Sequence, residues 1–140
     1  MQDLNLPNPT RLILIVEDDR VLSETISSGF RAQGWMVRQA FTCAEVRGMS
    51  DSGYVSLLLL DIHLPDGNGW SLLGELRERG MEVPVVAMSS SPVARTELRQ
   101  NRVEAFLPKP FGLQQLVTTV QRLLDTAPKK TLDVRNQEGH

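Results

Sequence analysis

Five times along this chain a short apolar run gives way to a stretch with helical spacing. The strand-like runs are RLILIV (11–16), WMVRQA (35–40), YVSLLLLD (54–61), VPVVAMS (83–89) and VEAFLP (103–108). The first, third and fourth are almost unbroken in apolar residues, the pattern of strands covered on both faces in a parallel sheet. WMVRQA is more polar and predicts an edge strand. Between the runs, residues 20–33 place Val21, Leu22, Thr25, Ile26 and Phe30 at helical intervals and stop before Gly34. Residues 42–50 predict a short helix and 70–80 one that ends at Gly80. Residues 91–101 predict another, with Ser91 as its cap and Pro92 in its first turn. Leu113, Leu116, Val117, Val120, Leu123 and Leu124 form the clearest helical stripe. Alternation of this kind predicts a doubly wound α/β sandwich. The first ten residues, with two prolines and two asparagines, read as a flexible lead-in. Residues 127–140 read as a polar tail or a truncated linker.

Composition narrows the classes. A chain of 140 residues suits one domain, and 41% hydrophobic with 23% charged residues is ordinary for a water-soluble one. A net charge of -2 offers no electrostatic footprint for wrapping nucleic acid or binding an acidic membrane. The single cysteine, Cys43, excludes an internal disulfide and fits a reducing compartment. No apolar run reaches membrane-spanning length, and the start lacks the order of a signal peptide, so a cytoplasmic location is expected.

The chemistry collects at the strand ends. In open α/β sheets ligands bind beyond the carboxyl ends of the strands. There the first strand delivers Glu17 and Asp18, the third Asp61, the fourth Ser89 and the fifth Lys109. Acids after the first strand would repel the phosphate of a flavin. Two carboxylates about 4 Å apart repel by roughly 4 kcal/mol at an effective dielectric near 20, a cost that a hard divalent cation such as Mg²⁺ removes. Ser89 and Lys109 are poor ligands for Mg²⁺ but good partners for phosphate oxygens. Carboxylate, cation, hydroxyl and ammonium together suit an incoming phosphoryl group, with Asp61 as the nucleophile. Other residues carry plainer readings. Asp19 reads as a helix cap; Pro65, Asp66, Gly67 and Gly69 as a turn that shapes the backbone; Trp35 and Trp70 as packing residues.

The motifs ILIVEDD, LLLLDIHLPDGNGW, PVVAMSSS and FLPKPF, in this order, resemble those of the receiver domain of two-component response regulators, over about residues 11–126. The resemblance implies a CheY-like, flavodoxin-like fold: a five-stranded parallel sheet of order 2-1-3-4-5 between two helical layers. It implies Asp61 as phosphorylation site, with Mg²⁺ held by Asp18, Asp61, the backbone carbonyl of His63 and, through water, Glu17. Ser89 becomes the switch hydroxyl, Lys109 the phosphate-binding lysine on a cis bond to Pro110, and Phe106 the aromatic switch position. The implied partner is a sensor histidine kinase or phosphotransfer protein. The surface of the fourth helix, fifth strand and last helix is where partners or a second copy, as a homodimer, would dock, and an output domain that controls transcription is implied as well. The resemblance implies a phosphoryl acceptor with slow autodephosphorylation, not an enzyme. Two other readings stand beside this one. A Mg²⁺ phosphohydrolase would want an acid two residues after Asp61, where His63 stands; an unphosphorylated interaction module would not need a complete acid cluster. The chain also departs from the family pattern, because the stretch from Ser89 to Lys109 is short. NRVEAF replaces the usual GA before the last strand, so the fourth helix is expected to be short or displaced.

Overall fold

The computed structural model describes residues 11–49 and 55–126. The expected lead-in (1–10), the tail (127–140), and Tyr54 and Ser50 at two element ends lie outside the described residues. Five parallel strands, β1 (Leu12–Val16), β2 (Met36–Ala40), β3 (Val55–Asp61), β4 (Val85–Ser89) and β5 (Ala105–Pro108), form one sheet in the order β2-β1-β3-β4-β5. The polar run WMVRQA is an edge strand, as its alternation of exposed and half-buried residues requires. Five helices connect the strands: α1 (Arg20–Ala32), α2 (Cys43–Gly48), α3 (Gly69–Glu78), α4 (Arg95–Gln100) and α5 (Leu113–Thr126). None of them is long and apolar enough to cross a membrane.

Strand periodicity divides the core in two. Ile13, Ile15, Leu57, Leu59, Val86 and Met88 meet Ile26 and Phe30 of α1 and Leu116, Val117 and Val120 of α5 on one face. Leu14, Val16, Leu58, Leu60 and Val85 meet Cys43 and Val46 of α2 and Leu72, Leu73 and Leu76 of α3 on the other. Successive strand residues point to opposite faces, so an unbroken apolar run feeds both layers at once. Trp35 is buried against Phe30, edge to face with centroids 5.5 Å apart. α1 and α5 come so close that a Cβ on Gly29 would lie 2.8 Å from a methyl of Leu113.

Two local expectations change. α4 begins at Arg95, not near Ser91, and Ala94 at its N-cap makes no side-chain bond. The N–H of Ser91 donates to Ser89 Oγ at 2.9 Å, which ties this segment to the end of β4, four residues before the helix begins. The helix is indeed short. After β3 the chain forms a two-residue antiparallel ladder, His63–Leu64 with Gly67–Asn68, before α3 starts at Gly69 under the cap of Asn68.

Candidate functional site

At the exit of β1, Glu17 is fully buried while Asp18 and Asp19 face solvent. The N–H of Glu17 donates to Ala40 O, extending the ladder by one rung. Asp19 turns away from the site: its Oδ1 accepts the Leu22 N–H and caps α1, the expected role. Its own N–H donates to Glu17 Oε2 at 3.0 Å.

Asp61 closes β3 and is 4% exposed. Both of its oxygens are engaged: Oδ1 accepts the His63 N–H at 2.9 Å, and Oδ2 lies 2.8 Å from Lys109 Nζ. Lys109 reaches the site because its N–H bonds Ser89 O at 2.8 Å at the end of β5; the Lys109–Pro110 bond is cis. Its ammonium also stands 2.6 Å from Glu17 Oε1. Ser89 is fully buried, one residue past Met88, which pairs in register with Asp61. Phe106 sits half-buried on β5 opposite Ala87, and the His63 side chain is exposed.

The charges do not cancel. Carboxylate oxygens of Glu17, Asp18 and Asp61 all lie within 4.8 Å of one another, and one ammonium faces them. Burial pushes the Glu17 carboxyl up to about 7, against the pull of Lys109 and the Asp19 N–H. Burial also opposes the charged form of Lys109, yet its bonds to Asp61 and Glu17 hold it above the usual lysine range. Glu17 Oε1, although in ionic contact with Lys109, has no hydrogen-bond donor aligned on it. Three clustered carboxylates facing a single ammonium carry excess negative charge, which fits a hard divalent cation. Beside the cluster opens a largely apolar cleft of about 420 Å³, lined by Asp19, Leu22, Ser90, Lys109, Pro110 and Phe111.

Two side chains do more than the sequence suggested. Asp66 does not merely shape its turn; it accepts the N–H groups of Cys43 and Ala44 in α2. Trp70 is half-buried and donates its indole N–H to Glu97 of α4. Only Gly69 fits its place, since a Cβ there would lie 2.7 Å from Asp61 O.

An open parallel sheet with three clustered carboxylates, two of them buried, and a lysine at its carboxyl edge defines a doubly wound domain with its charged groups gathered at that edge. Residues 13–121 match the family model described as the response regulator receiver domain, and the chain belongs to that family of signalling domains. It is 36% identical to the transcriptional regulatory protein CiaR of Streptococcus pneumoniae, over 84% of this chain and 53% of that protein. It is 29% identical to the DNA-binding transcriptional regulator NtrC of a Bradyrhizobium strain, over 94% of this chain and 28% of the relative. The chain thus spans between about a quarter and about half of these relatives. The receiver domain of the response regulator TorR superposes with a TM-score of 0.72 at 34% identity, covering 81% of this chain and 96% of that one. The non-phosphorylated HemR receiver domain from Leptospira biflexa gives 0.76 at 28%, covering 86% and 98%.

Proposed function

We propose that this domain accepts a phosphoryl group on Asp61 and converts it into a change at the surface formed by α4, β5 and α5. The observation that carries the reading is the ammonium of Lys109 at 2.8 Å from Asp61 Oδ2, inside a cluster of three carboxylates. An oxygen of Asp61 attacks phosphorus in line as the P–N bond of a partner's phosphohistidine breaks. The electron pair stays on the imidazole, which takes a proton from solvent. Glu17, Asp18, Asp61 and the His63 carbonyl would hold Mg²⁺, which when bound supplies the positive charge that neutralises the transferring oxygens. Lys109 supplies the second positive charge. Ser89 gives up its bond from Ser91 to donate to the new phosphoryl oxygens, and Phe106 follows into the space it leaves.

The donor in this reading is a sensor histidine kinase or phosphotransfer protein, in the cytoplasm. The receiver unit is residues 11–126, joined through the polar stretch 127–140 to an output that controls transcription, and two copies pair through the α4–β5–α5 surface. The names of CiaR and NtrC and their greater lengths support the output. Acetyl phosphate with Mg²⁺ tests the reading. One phosphoryl group per chain is expected by mass spectrometry, lost in Asp61→Asn and on chelation of Mg²⁺. Absence of labelling in the parent protein would leave an interaction module, and steady turnover of a phosphate monoester would make the site a hydrolase.

A further inference from the structure

Asp66 stands at the tip of the loop between β3 and α3, and its side chain reaches out of that loop. Oδ1 accepts the N–H of Cys43 at 2.8 Å and Oδ2 that of Ala44 at 2.9 Å, the first two residues of α2. These bonds hold its carboxyl below the usual range. Thr42 Oγ1 accepts the Glu45 N–H at 3.0 Å, so the first three N–H groups of α2 all end on side-chain acceptors. The helix they cap is anchored, because Cys43 and Val46 are buried. Loop and helix also touch next door, where a Cβ on Gly67 would lie 3.0 Å from Cys43 Sγ.

The root of the same loop holds the acceptor. His63 and Leu64 pair with Asn68 and Gly67, and the Gly69 N–H donates to Ile62 O at 2.6 Å. The His63 N–H so placed donates to Asp61 Oδ1, while Lys109 holds Oδ2. A carboxylate gripped at both oxygens cannot rotate, and in-line attack requires a fixed oxygen.

We infer that Asp66 is a positioning residue for phosphoryl transfer: by tethering the loop tip to the anchored first turn of α2, it keeps the His63 N–H on Asp61 and fixes the attacking carboxylate. This rests on the acceptor role proposed for Asp61. With the tether cut, the root of the loop keeps the buried Ile62 and Leu64 and the Gly69–Ile62 bond, but the tip beyond them keeps only the short ladder and the contact of Gly67 with Cys43, and two-residue ladders are weak alone.

The test compares Asp66→Ala and Asp66→Asn with Arg47→Met, which breaks the Arg47–Glu75 pair between α2 and α3 and leaves the loop intact. Three quantities are read: the labelling rate with acetyl phosphate, in which acetate leaves with the electron pair of the broken P–O bond; hydrogen exchange at the His63 amide without donor; and the thermal midpoint. Asp66→Ala should slow labelling on the order of tenfold and speed His63 exchange. Asp66→Asn, which keeps one acceptor oxygen, should fall between and carries the test if the alanine variant does not fold. Arg47→Met should lower the midpoint with labelling and His63 exchange unchanged. Folded Asp66 variants with parental exchange at His63 would overturn the inference, as would an equal slowing in Arg47→Met. The amide measurement needs no phosphodonor, so a parent protein that never labels removes the role of Asp61 while the tether is still judged at His63.

Discussion

α1 and α4 each follow a strand whose end belongs to the site, and they are held by different forces. α1 is capped by Asp19, buries Ser23, Ile26, Ser27 and Phe30, and packs closely on α5 at Gly29. α4 has six residues, none of them buried, and no side-chain cap at its N-terminus. What holds it is polar: Trp70 Nε1–H donates to Glu97, and the Arg77 guanidinium donates to the carbonyls of Asn101 and Arg102. Apolar burial resists displacement over its whole area, whereas a bond near solvent can be exchanged for one to water. On the proposed function, the side that carries the acceptor is held by apolar burial, and the side that would respond is held by bonds that cost less to exchange.

The contrast is broken most directly by deleting apolar side chains from each helix. Phe30→Ala should cost about 3–5 kcal/mol of unfolding free energy, the range for a large core side chain. Leu98→Ala, in a half-buried position of α4, should cost about 1 kcal/mol or less. Urea titration of both variants is the check, and equal losses would mean that α4 is as much a part of the core as α1.

Glu17 gives the next effect. Its carboxyl titrates at about 7 in the folded protein against 4.5 for the free group. The native state thus binds more protons than the unfolded one across that window, so stability falls as pH rises from about 4.5 to about 7. The fall should reach up to about 3 kcal/mol when read as the difference between the parent protein and Glu17→Gln. Mg²⁺ at saturation should flatten it, because a cation favours the ionised carboxylate. A difference curve without slope in the absence of Mg²⁺ would show that Lys109 alone satisfies the cluster.

Trp70→Phe and Arg77→Met remove the polar ties of α4 and should each cost about 1 kcal/mol. Their sharper mark is local: amides of α4 should exchange faster while those of α1 keep their parental protection, as hydrogen exchange by NMR resolves.

The strands and the main site residues were legible because the signals are local. Leu57–Leu60 runs unbroken, and an unbroken run ending in Asp61 fixes both the two-sided burial and the place of the acid. Glu17, Asp18, Ser89 and Lys109 follow the same logic, since each ends a strand and parallel strands bring their ends to one edge. Asp66, Trp70 and Arg77 were not legible in these roles. Their partners are backbone groups or side chains more than twenty residues away, and no periodicity records such a bond. The start of α4 misleads for a related reason. Ser91–Pro92 is a sound local signal for a helix start, but the Ser91 N–H is bonded back to Ser89 Oγ in a turn at the end of β4, and the helix starts only at Arg95.

The smallest effect bears most closely on the division of labour. Ala94 has the extended backbone of an N-cap, with φ -71° and ψ 147°, and offers no side-chain oxygen to the open N–H groups of α4. Ala94→Asp supplies that acceptor and places negative charge at the positive end of the helix, a gain of about 0.5–1 kcal/mol. Ala94→Gly, which permits the backbone without adding the acceptor, is the control. Because Ala94 is exposed and none of the site's hydrogen bonds runs through its side chain, the labelling rate of Asp61 should stay at the parental value. The response should change instead: with α4 stabilised in its resting place, the amide shifts that phosphorylation produces along α4 should shrink, while those at His63 and Ser89 persist. A variant that labels more slowly, or whose α4 responds in full, would tie the helix to the acceptor chemistry and remove the distinction between a rigid site and a movable reader.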